Sequence, residues 1–109
     1  MADAYIVDAV RTARGRKKNG SLNGVHPVDV AAHALSALVE RTGIDAAAVD
    51  DVSMGCVSQV GEQAFNVARG AVLAAGFPIE VAAHNVQRVC GSGQQAVNAA
   101  AMAVMAGVE

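Results

Sequence analysis

Tryptophan is absent from this 109-residue chain, and tyrosine and phenylalanine together supply three side chains. With no aromatics set among its basic residues, it lacks the stacking surface that single-stranded nucleic acid needs. Cysteine occurs twice, too seldom for the disulfide framework of a small secreted domain. Two prolines and no serine-rich tract leave no candidate linker. Charge of either sign is scarce as well. A net charge of −2 and a pI near 5.8 create no strong field for nucleic acid or an anionic membrane. The N-terminus has no basic segment ahead of a long apolar one, so it does not read as a secretion signal. The longest apolar stretch, residues 99–108, is far short of the ~20 residues a membrane span needs. What is abundant is apolar: 53% of residues, too many for a disordered chain. The expectation is one soluble, cytoplasmic, globular domain with neither nucleic acid nor membrane as partner.

Residues 4–10 (AYIVDAV) are short, β-branched and mostly apolar, the pattern of a buried strand. Residues 11–24 follow, with three glycines and five of the eight basic residues, as a loop. Pro27 suits a first helical turn. From there Val28, Ala31, Leu35, Leu38 and Val39 recur at helical spacing, and Gly43 closes the helix. The pattern repeats twice more. Residues 51–57 and 81–89 read as strands; residues 62–75 and 94–106 read as helices. Alternation of this kind predicts an α/β fold with a mainly parallel sheet covered by helices. The last helix is apolar nearly all round, so it must be buried on every side. Three strands and two helices are too few to wrap it. The expectation is therefore an incomplete domain, residues 1–109, whose remaining cover is another subunit or more chain.

One segment concentrates chemical potential: Val89-Cys90-Gly91-Ser92-Gly93, at a turn from strand into helix. A cysteine there faces the free N–H groups and positive end of the helix, a setting that favours the thiolate nucleophile. The glycines allow a tight turn and close approach of a substrate to the backbone. The turn's N–H groups could hold a developing oxyanion. The arrangement parallels the nucleophile elbow of serine hydrolases, with sulfur for oxygen. The competing interpretation is a buried structural cysteine beside a helix cap.

Other residues offer less. Cys56 fits a small core position, and a Cys56–Cys90 disulfide cannot be read from spacing. His26, His33 and His84 show no metal-ligand spacing with the cysteines, so no metal site is expected. His33 and His84 read as structural. Gly15 and Gly20 have the spacing of a phosphate loop, but Ser21-Leu22 follows where Lys-Ser/Thr is required. The basic run from Arg14 to Lys18 reads as a solvated loop, or as a contact for an anionic cofactor.

Gln87-Arg88-Val89-Cys90-Gly91-Ser92-Gly93-Gln94-Gln95-Ala96-Val97 resembles the active-site signature of thiolases, the acyl-CoA acetyltransferases. Ala9-Val10-Arg11-Thr12 resembles that family's opening strand and loop, and Gly55-Cys56-Val57-Ser58-Gln59-Val60-Gly61 its second-strand pattern. Asn66-Val67-Ala68-Arg69 and Gly107 fall at matching intervals. The likeness spans the chain. Ala13 stands where the family usually has proline, and Gln87 where it usually has asparagine; the second change lengthens an amide arm close to the cysteine.

The resemblance implies a layered α/β/α/β/α thiolase fold, of which this chain is the N-terminal portion, with the cysteine-bearing helix at its centre. It implies that Cys90 takes an acyl group from an acyl-CoA as a thioester. CoA (thiolysis) or an acetyl-CoA carbanion (Claisen condensation) then accepts it. No tightly bound cofactor is implied, only coenzyme A thioesters as substrates, and the family implies a homo-oligomer, dimer or tetramer. The activating histidine, asparagine-held water, second catalytic cysteine and CoA-binding loop lie further along such enzymes. None of His26, His33, His84 or Cys56 falls at a matching position, so the 109 residues alone are expected to be inactive. Three other readings stay open: a ketoacyl-synthase-like condensing enzyme, a non-catalytic truncated fragment that associates through its apolar helix, and a thiol redox sensor.

Overall fold

The structure is a computed structural model and describes residues 2–109. Helix α1 (Pro27–Thr42) begins at Pro27, and His26 caps it by accepting from the Val28 N–H through Nδ1 at 3.2 Å. It ends at Gly43, whose φ of 70° lets its N–H turn back to the Val39 carbonyl. A single 3₁₀ turn (Ala46–Ala48), capped by Asp45, leads into strand β1 (Asp51–Gly55). Helix α2 (Val67–Ala74) crosses to strand β2 (Ala82–Val86), and helix α3 (Ser92–Ala106) closes the order.

The two strands pair in parallel, from Asp51 opposite Ala82 to Gly55 opposite Val86. Helices α1 and α2 pack together on one face of this sheet. Their shared core is Val72, Phe77 and Val81, joined by Leu35, Val39, Val49, Val52 and Ala83. Helix α3 lies against β1 and β2. The α/β class and the parallel pairing are as the alternation predicted.

Two asparagines fasten α2 to β2. Asn66 caps the helix by accepting from the Arg69 N–H at 3.0 Å and donates to the Ala83 carbonyl at 2.9 Å. Asn85 accepts from the Ala68 N–H at 3.1 Å. Asn66→Ala should lose the cap and one neutral hydrogen bond, about 2 kcal/mol together. Asn66→Asp keeps the cap and loses only the donor, so urea midpoints should fall in the order wild type, Asp, Ala. Equal midpoints for all three would contradict this role.

Several expectations need correction. Residues 4–10 form no strand; Tyr5, Ile6 and Val7 are over three-quarters exposed. Strand geometry is held by a ladder partner, and this segment makes none. It runs beside the open edge of β1, across a cavity of about 550 Å³, and is tethered by an Arg41–Asp8 ion pair of 3.3 Å. The strands predicted at 51–57 and 81–89 are shorter, and the helix predicted at 62–75 divides. Residues Gly61–Gln63 make a 3₁₀ turn, Phe65 has φ 64°, and α2 begins only after its Asn66 cap. Helix α3 starts two residues earlier than predicted and is not buried all round. Only Ser92 and Ala96 are buried, while Val97 and Met102 are over half exposed. The two strands cover one of its sides. Among the described residues no helix is long and apolar enough to cross a membrane.

Candidate functional site

Cys90 sits where the sequence placed it, between β2 and α3, as an exposed free thiol. The backbone around it is shaped by its neighbours. Val89 has φ 45°, a left-handed conformation that is costly for a β-branched residue. Ser92 holds that conformation in place. Its buried hydroxyl donates to the Val89 carbonyl at 2.6 Å and accepts from the Arg88 N–H at 2.8 Å. The Gly91 N–H reaches the Arg88 carbonyl at 2.9 Å, and Gln87 Oε1 accepts from the Val89 N–H at 2.7 Å. Every bond in this set pins the turn on which Cys90 rides.

Gly55 determines how close α3 comes to the sheet. A Cβ added there would lie 2.5 Å from the Ser92 carbonyl carbon and 2.7 Å from Gly93 Cα, inside any allowed contact. The start of α3 therefore rests directly on the end of β1, backbone on backbone. Gly91 caps the helix without a side-chain bond. The N–H groups of Gly93 and Gln94 find no backbone acceptor among the described residues. Cys90 is thus next to free helix-terminal donors, the environment that can hold a thiolate or an oxyanion.

The other sequence candidates have partners of their own. Cys56 is buried just after β1, its Sγ 3.5 Å from Gln63 Oε1, and it is a free thiol like Cys90. His26 is a helix cap, and His33 is exposed on α1. His84 projects from β2 onto Asp51 and Ser53. Arg11, Arg14 and Arg16 line a separate cavity of about 660 Å³ together with His33 and Asp29; Cys90 does not line it. Among the described residues Cys90 Sγ makes no hydrogen bond, so no base stands against it.

Sequence reasoning overlooked Ser92, which it left outside the helix, and Gly55. A glycine inside a strand pattern is itself a signal of close backbone approach. The serine carried no such signal, because its partners are carbonyl and amide groups of a turn whose φ values are not local knowledge.

Comparison with known proteins agrees with this architecture. The family described as "Thiolase, N-terminal domain" matches residues 4–109. The steroid 3-ketoacyl-CoA thiolase FadA6 of Mycobacterium tuberculosis is 55% identical over 98% of this chain and 26% of its own length. A 3-ketoacyl-CoA thiolase of Serratia proteamaculans is 47% identical over 98% of the chain and 28% of its own. The crystal structure of the Bacillus anthracis acetyl-CoA acetyltransferase superimposes with a TM-score of 0.76 at 43% identity. It covers 83% of this chain and 23% of the solved one. The chain spans about a quarter of the length of these relatives. From the strand–turn–helix around Cys90 to the match across residues 4–109, sequence and structure agree that this chain belongs to the thiolase family.

Proposed function

We propose that this chain is the nucleophile-bearing part of an acyltransferase that works on coenzyme A thioesters, with Cys90 as the residue that carries the acyl group. One observation supports this most: an exposed thiol on a pinned, left-handed turn at the free N–H groups of α3, in a chain of the thiolase family. The thiolate attacks the acyl carbonyl, the free donors of Gly93 and Gln94 stabilise the oxyanion, and CoA leaves as its thiolate, which takes a proton from solvent. The acyl-thioester on Cys90 then passes to CoA or to an acetyl-CoA carbanion. The relatives' names, 3-ketoacyl-CoA thiolase and acetyl-CoA acetyltransferase, support CoA thioesters as the substrate class. The same reading takes the chain to be an N-terminal domain incomplete at its C-terminus, in a cytoplasmic homo-oligomer without a tightly bound cofactor.

Among the described residues no base or second acid/base group is hydrogen-bonded to Cys90, so residues 1–109 by themselves should acylate but not turn over. Incubation with acetyl-CoA followed by intact-mass measurement is expected to show one acetyl group. Cys90→Ala should abolish it although Cys56 remains. An adduct that survives in Cys90→Ala would overturn the assignment, as would measurable thiolysis of acetoacetyl-CoA by the 109 residues alone.

A further inference from the structure

The buried Ser92 hydroxyl pins the Cys90 turn from within, and a second side-chain tie closes the same turn. Arg88 Nη1 donates to Gln95 Oε1 at 2.5 Å. Gln95 is a firm anchor: half-buried in α3, it gives its own N–H to the Gly91 carbonyl at 2.9 Å. On its way there the arginine stem passes Gly91. A Cβ added to that glycine would lie 4.0 Å from both Cγ and Cδ of Arg88. The bridge thus spans residues 88–95, and Val89, Cys90 and Gly91 lie in the loop that it closes.

Three features give this bridge a bearing on the thiol. The ladder between β1 and β2 stops at Val86, so the sheet does not hold the residues that follow. Among the described residues, the Ser92 hydroxyl and the Arg88–Gln95 bond are the side-chain bonds that join the turn to α3. Second, Arg88 also holds the turn by its backbone: its N–H donates to Ser92 Oγ and its carbonyl accepts from the Gly91 N–H. A shift of Arg88 therefore disturbs both bonds, and Val89 at φ 45° relaxes when they loosen. Third, the donor is charged, which strengthens its bond to the neutral amide, and Arg88 makes no ion pair among the described residues that would draw it elsewhere.

We propose that Arg88, acting through Gln95, is a positioning residue for Cys90: the bridge keeps the thiol beside the free N–H groups at the start of α3 and so sets how fast Cys90 takes an acyl group. This rests on the reading of Cys90 as the acyl carrier. In that step the acyl carbon leaves the CoA sulfur for Cys90 Sγ, the Cys90 thiolate is consumed and the CoA thiolate is released. Arg88 takes part in no bond that forms or breaks. Its effect is on where the sulfur stands, so its loss should fall on the transfer step and spare binding of the thioester.

The test follows acetylation of the peptide containing Cys90 in the purified chain, over a range of acetyl-CoA concentrations. Arg88→Met keeps the stem and loses the donor; Gln95→Arg sets two guanidinium groups against each other. Each should lower the limiting rate about 10-fold and leave the half-saturating concentration unchanged. Arg88→Gln combined with Gln95→Arg restores donor and acceptor in reverse and should recover most of the rate, a coupling that two independent structural defects would not show. Alkylation of the same peptide by iodoacetamide needs no acyl chemistry and should follow the same order, because the thiolate loses the same donors. A limiting rate unchanged by Arg88→Met, a loss confined to half-saturation, or an exchanged pair as slow as Gln95→Arg alone overturns the bridge. A wild-type chain that takes no acetyl group overturns the acyl-carrier reading instead. The bridge is then decided by alkylation: the same order of variants supports it, and equal rates overturn it.

Discussion

Gly55→Val is expected to unfold the Cys90 turn more thoroughly than any change to Cys90 itself. Its Cβ alone would fall 2.5 Å from the Ser92 carbonyl carbon, against backbone that cannot rotate aside. Two added methyl groups make the conflict worse, and α3 must lift from β1 to relieve it. Overpacking against a rigid neighbour costs about 3 kcal/mol. That is a large part of the stability of a domain this small, and Tm should drop by roughly 10–20 °C. The same displacement carries the free N–H groups of Gly93 and Gln94 away from the sheet end, so acetylation of Cys90 should be lost in whatever fraction stays folded. Gly55→Ala should show a weaker form of both effects. An alanine variant with wild-type Tm and acetylation would mean that α3 does not rest on Gly55.

Ser92→Ala should cost about 2 kcal/mol, because the Arg88 N–H loses its acceptor and the Val89 carbonyl loses its shorter bond. The variant also removes what holds Val89 at φ 45°. A valine held there stores roughly 1–3 kcal/mol of strain, which the freed turn would release by moving Cys90. Two measurements separate these effects: urea unfolding for stability, and acetyl-CoA labelling for the position of the thiol. Val89→Gly provides the control, since glycine adopts positive φ without strain. In that background the labelling defect of Ser92→Ala should shrink, a coupling visible in a double-mutant cycle. Strict additivity of the two changes would show that Ser92 does not act through the Val89 conformation.

What the sequence disclosed, and what it hid, follows from how local each cause is. Helix α1 was legible to its ends because its start and stop signals, Pro27 and Gly43, act on their own backbone. The placement of Cys90 between strand and helix was legible because a strand, a glycine-rich turn and an apolar helix are contiguous there. Residues 4–10 misled because their β-branched pattern gives a preference for extended chain, whereas a strand exists only with a partner. The apolar run of α3 stated that it needs burial and was silent on what supplies it. Ser53, His84 and Asp51 stayed hidden for a different reason. Serine and histidine are 31 positions apart, and only the register of a parallel pair, which no local pattern encodes, sets them side by side.

The parallel pairing of β1 and β2 also decides when, during folding, these side chains first meet. Antiparallel strands can zip from a tight hairpin, but a parallel pair closes only after the whole crossover through α2 has been drawn in. Chain entropy opposes that closure before any ladder bond repays it, so the pairing belongs to the slow, non-local part of folding. Helix α1, made of contacts three and four residues apart, has no such delay. Until the two strands join, Ser53 and His84 are strangers in the chain and Cys90 is an ordinary thiol on loose peptide. The Ser53–His84 contact and the pinned turn under Cys90 are therefore properties of the cooperatively assembled state, and a nascent chain emerging with its helices formed would carry neither.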